Sequence, residues 1–145
     1  MTHKILDGIS QTLKAAFPDC QIFGDKRVGQ GLPTPSFFVG LGECSTNPLP
    51  GGLVKLKQHV EVIYFPERQG DYSELWKIGP KALTALEQIP LGDGSLTRGV
   101  SRRSTINDGL MHLHAVYHLR LIPREAIALM GELRQIKKSR QEKGR

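Results

Sequence analysis

Apolar residues recur along this chain with two different periods. Ile5, Ile9, Leu13 and Ala16 or Phe17 fall three or four positions apart, the spacing that gathers side chains on one face of an α-helix. Thr2 stands as a possible N-cap and Pro18 as the stop, so an amphipathic helix is predicted here despite Gly8. Cys20 to Phe23 reads as a short strand. Gly29, Gly31, Pro33 and Pro35 then interrupt regular structure and predict a loop. Ser36 to Leu41 is rich in strand formers, and prolines just before it suit a strand start. Asn47 to Gly52 reads as a turn or a flexible arm. From Val54 the period becomes two: Val54, Leu56, Val60, Val62 and Tyr64 on one face, Lys55, Lys57, His59 and Glu61 on the other. That is a long half-buried strand. Ile63 and Phe65 break its polar face, which suggests cover by another element or another subunit.

Asp71-Tyr72-Ser73-Glu74 has the spacing of a capping box and predicts a second helix. Its stripe is Leu75, Ile78, Ala82, Leu86 and Ile89, with a kink expected at Gly79-Pro80 and an end at Pro90. Gly94 to Ile106 reads as a weaker strand, and Asn107-Asp108-Gly109 supplies the residues of a tight hairpin turn. The return strand, Leu110 to Ile122, alternates most strongly: Met111, Leu113, Ala115, Tyr117, Leu119 and Leu121 oppose His112, His114, His118 and Arg120. Pro123 ends it and can open a last helix with Ala126, Leu129, Met130 and Leu133. These elements predict an α+β fold, an antiparallel sheet of about four strands with two helices packed on one face, plus a C-terminal helix or basic tail. Residues 1–133 read as one domain and 134–145 as a flexible tail.

Composition adds little until charge is located. A chain of 145 residues, 39% hydrophobic, can bury a core of its own without staples. The net charge is +6, but Arg134, Lys137, Lys138, Arg140, Lys143 and Arg145 face only Glu142 in the tail, so the body is near neutral. Basicity of this kind is weak evidence for nucleic acid, and no aromatic beyond Tyr117 offers a stacking platform. Cys20 and Cys44 lack metal or redox spacing and read as reduced thiols. No apolar stretch approaches the ~20 residues that span a bilayer, and the first residues do not resemble a signal peptide. No membrane partner is expected.

Reactive chemistry is equally sparse. A nucleophile elbow, a phosphate loop and a HExxH helix are all missing, Gly29-Gln30-Gly31 lacks a following helix, and the carboxylates are scattered, so no enzyme and no cofactor are expected. His112, His114 and His118, with His59 or Glu61, admit a metal in principle, but polar residues on a solvated strand face need no further reason.

The run from Ile22 to Val39, in which Gln30-Gly31 precedes Pro35-Ser36-Phe37-Phe38, resembles a signature of tail terminator proteins from contractile-tailed phages and defective prophages. His59 to Pro66 resembles that family's next strand, with its Tyr64-Phe65-Pro66 corner. Asp93-Gly94-Ser95-Leu96 and the run Asp108 to Tyr117 match its paired Asp-Gly strands in the same order. The similarity spans about Ile5 to Leu121; the Asn47 to Gly52 arm and the basic tail fall outside it.

The resemblance implies a ring, commonly of six subunits, that caps the head-proximal end of the tail tube, stops its polymerisation and presents a surface to the neck or connector. The implied partners are further copies of the chain, the tube and sheath proteins, the neck or connector protein and, in transient contact, passing DNA. The implied location is the virion tail, assembled in the bacterial host cytoplasm. Gln30, Gly31, Phe37, Phe38 and Phe65 are the candidate assembly residues, with core packing as the rival for one of the paired phenylalanines. Lys55, Lys57 and His59 are the candidates for a channel or partner face. Two other readings stay open: a different head–tail joining or neck protein, and a small nucleic-acid-binding module acting through the tail.

Overall fold

The computed structural model describes residues 2–24, 34–68, 70 and 72–122. Its elements are α1 (Thr2–Ala16), β1 (Gln21–Phe23), β2 (Ser36–Pro48), a short 3-10 turn (Pro50–Gly52), β3 (Val54–Phe65), α2 (Tyr72–Ala85), β4 (Gln88–Pro90), β5 (Leu96–Asn107) and β6 (Leu110–Leu121). The strands form one six-stranded sheet in the order β1-β2-β3-β6-β5-β4. β1 runs parallel to β2, and the remaining pairs are antiparallel.

The expected antiparallel sheet of about four strands with two helices packed on one face is therefore corrected. The sheet is mixed, has six strands and curls into a half-barrel. The curl follows from α1, which packs against β1 and β2 at one margin and against β4 at the other. One helix can meet both margins only if the sheet bends round it. Gly8 marks the closest approach, since a Cβ there would lie 2.1 Å from the Pro90 carbonyl oxygen. The residue that weakens α1 by propensity is the one that lets it touch β4.

Other departures have local causes. Leu86 and Ile89 continue the helical period of α2, yet the helix ends at Ala85 and Ile89 belongs to β4. Both remain buried, so burial alone did not separate the two conformations. Pro80 lies inside α2, which runs on to Ala85. Asn47 and Pro48 are not an arm: they end β2, opposite Lys55 and Val54, and proline is tolerated there because it stands at a strand end. Asp71 lies outside the described residues, while Glu74 Oε1 accepts from the Tyr64 hydroxyl at 2.9 Å and the Glu67 amide at 3.3 Å. The hairpin forms as its residues require, with positive φ at Asp108 (54°) and Gly109 (76°).

The core lies on the helix side of the sheet. Ile5, Ile9 and Leu13 of α1 meet Leu75 and Ala82 of α2 and the alternating residues of β3 and β6. Phe37 is fully buried, its ring 5.0 Å from Phe17 and 4.9 Å from Tyr64. Gln58, omitted from the apolar alternation, also points inward with 1% exposure. Its amide nitrogen donates to the Gly42 carbonyl at 3.1 Å and the His59 carbonyl at 2.9 Å, which satisfies a polar group that would otherwise be costly to bury. Tyr117 donates to the Leu86 carbonyl at 2.7 Å, binding β6 to the turn after α2.

Candidate functional site

The period that buries one side of β3 and β6 places a distinct chemistry on the other. On this outer face Lys55 stands opposite Arg120, Lys57 opposite His118, His59 opposite Val116, Glu61 opposite His114 and Ile63 opposite His112. β5 extends the rows, with Val100 opposite Val116 and Arg103 opposite His114. Across β3, β5 and β6 the one carboxylate is Glu61. It approaches His112 Nδ1 at 3.1 Å. On these three strands the face is thus one of Lys, Arg and His, with their single acid already engaged.

Two bulges shape this face. β2 slips register between Leu41 and Cys44, and β5 slips between Val100 and Arg103, where Ser101 has φ 52°. An extra residue bends the bulged strand locally. Between the two bulges lies a hollow of about 410 Å³, lined by Gly42, Lys57, His59, Glu61, Arg103, His114 and His118, with Val116 in its floor. Gln58 braces one wall from below through Gly42. His118 Nδ1 is buried without a hydrogen-bond partner among the described residues. Its desolvation, and then Lys55, Lys57 and His59, hold the imidazole below its ordinary pKa.

The candidate residues divide. Lys55, Lys57 and His59 share the outer face of β3, and Lys57 and His59 line the hollow. Of the two adjacent phenylalanines, Phe37 points into the core, whereas Phe38 is half-buried on the outer face opposite Ile63. Phe65 is half-buried opposite Ser36. Phe38, Ile63 and Phe65 therefore form an apolar end to an otherwise basic face. Gln30 and Gly31 lie outside the described residues, as does everything after Ile122. The histidines share a face, but among the described residues no three His, Cys, Asp or Glu side chains gather to hold a metal ion.

One surface was missed from sequence. Tyr72 and Trp76, one turn apart on α2, are 47% and 66% exposed. Their signal was legible: the chain's single tryptophan stands outside the Leu75, Ile78, Ala82 stripe, where an amphipathic helix should be polar. Exposed Trp and Tyr are the residue types that dominate binding hot spots.

A family model described as phage tail terminator protein matches residues 4–127, which takes in every strand described above, α2, and all but the first two residues of α1. The chain belongs to the phage tail terminator family. This terminator is a structural protein of the virion tail that interacts with other tail and neck proteins. No curated protein matches it. Among its described residues no helix is long and apolar enough to cross a membrane. Two of the surfaces above, Phe38-Ile63-Phe65 and Tyr72-Trp76, lie on different elements.

Proposed function

We propose that the protein caps the head-proximal end of a contractile tail's tube as a closed ring, six copies in number, that stops tube and sheath polymerisation and receives the neck or connector. The family match across the whole sheet and both helices carries this reading. A ring closes through heterologous contacts, in which two different patches of one surface meet. The half-buried apolar end of the outer face and the exposed Tyr72-Trp76 pair supply two such patches on separate elements. Each contact buries about 800 Å² per partner if it is of standard size. The work is done by shape and surface chemistry; no step of it needs a reactive group or a cofactor.

Electron microscopy of the purified protein mixed with polymerising tube subunits tests the reading. Rings seated at one end of tubes that no longer grow are expected, and Trp76→Ser, a change at an exposed position, abolishes the seating while leaving the fold intact. A phage lacking the protein that still builds tails of uniform length joined to heads overturns it.

A further inference from the structure

The hollow between the two bulges has no part in ring closure as proposed above, yet it is the most sharply defined feature of the outer face. Its floor is apolar at Val116, and its rim carries Lys57, Arg103, His59, His114 and His118. An apolar floor with a few convergent polar groups is the usual construction of a binding site. Glu61 also lines the hollow, but its carboxylate is tied to His112 at 3.1 Å, so among the described residues Lys57 and Arg103 are left as cations without a carboxylate partner there and favour a ligand that brings its own negative charge.

We propose that this hollow is the docking site for an acidic segment of another tail or neck protein, whose apolar side chain rests on Val116 while its carboxylates meet Lys57, Arg103 and the histidines. The proposal rests on the reading of the chain as a tail-end cap and names how one partner is held. Size decides between the two polyanions: a hollow of about 410 Å³ admits a few side chains of an extended segment and excludes a nucleic-acid duplex. Charge decides against the chain itself as occupant. Residues 25–33 and 123–145 both carry net positive charge and would be repelled from this rim.

The test is calorimetric titration of the full chain with poly-L-glutamate and with a short synthetic peptide rich in Glu and Leu, while the imidazole resonances of His59 and His114 are followed by NMR. Binding of both probes is expected, with both resonances shifting. The Lys57→Gln, Arg103→Gln double variant weakens it about tenfold or more, the scale for losing charged contacts to a partner. Lys57→Arg retains it. A Lys137→Gln, Lys138→Gln variant changes it little. The proposal is overturned if neither probe binds, if the tail variant rather than the double variant carries the loss, or if a short duplex DNA of equal charge binds more tightly through Lys57 and Arg103. Because the titration involves neither ring nor tube, its outcome is independent of whether the protein caps tubes.

Discussion

The two sides of β3 and β6 are made by the same two stretches of chain, residue by residue in alternation, yet they obey different constraints. On the helix side, Leu56, Val62, Leu113 and Tyr117 are completely buried and packed against α1 and α2. Any change there is a change in folding. On the outer side, Lys57, His59, His114 and His118 rim a hollow and touch little of the core. Loss of a charge there leaves the fold nearly as stable but alters what the face can meet. The comparison teaches that stability and the recognition proposed for the outer face are separated in this protein by one step along a strand, and that the bulges belong to the outer side because they hollow it.

The most damaging way to break the inner side is at the seam where the curl closes. Gly8→Ala adds a Cβ that would sit 2.1 Å from the backbone oxygen of Pro90. Backbone cannot rotate away as a side-chain tip can, so α1 and β4 must part. Alanine's better helix propensity returns roughly 1 kcal/mol, which overpacking exceeds. A net loss of about 3 kcal/mol is expected in denaturant unfolding, at the top of the ordinary range for overpacked sites. A variant as stable as the parent would mean that α1 does not bridge the two margins of the sheet.

This seam also explains how much of the fold could be read from sequence. The long strands and α1 were legible because strict alternation or helical spacing persists over many residues, as from Val54 to Tyr64. The hairpin was legible because Asp108-Gly109 fits one turn geometry. What escaped was short or ambiguous. β1 was read as a short strand from Cys20 to Phe23, but its parallel pairing with β2 was not, and β4 hid in the helical period of Leu86 and Ile89. Without β4 and the parallel β1 pairing, the sheet read as antiparallel with about four strands. Curvature is a property of the whole sheet against α1, and Gly8, its local sign, reads in sequence only as a weak helix residue. The basic face was legible from Lys55, Lys57 and His59, but its hollow was not, because it needs two bulges and Arg103 from a strand distant in the chain. Gln58 was passed over since its partner, the Gly42 carbonyl, exists only once β2 bulges.

A smaller effect on the inner side is expected where packing volume stays the same and one hydrogen bond is lost. Tyr117→Phe keeps the ring under Gly99 but removes the hydroxyl that donates to Leu86 at 2.7 Å. Both residues are fully buried, so the carbonyl is left without that donor and water does not readily replace it. The expected cost is about 1–2 kcal/mol, read from urea unfolding. A neutral result would show that the turn after α2 relaxes to expose its carbonyl, and would place the β4 margin among the softer parts of the fold.

The smallest effect on stability, and the sharpest statement of the contrast, is expected from Lys57→Gln. Lys57 is exposed, so its loss should change unfolding free energy by less than about 0.5 kcal/mol. Its field is nevertheless one of the causes that hold His118 below its ordinary pKa, after desolvation and Lys55. The variant's His118 should therefore titrate at higher pH than the parent's, moving part of the way toward 6.5, because the remaining causes persist. The sign carries over to stability. In the parent the unfolded chain takes up the His118 proton first as pH falls below about 6.5. The stability present above that pH consequently declines on acidification until the folded imidazole is protonated as well. In Lys57→Gln the two pKa values lie closer together, and this acid-side decline should be shallower. NMR titration of the imidazole alongside unfolding at several pH values measures both. A His118 pKa that does not move would remove Lys57 from its surroundings and with it the view of the outer face as one electrostatically connected surface.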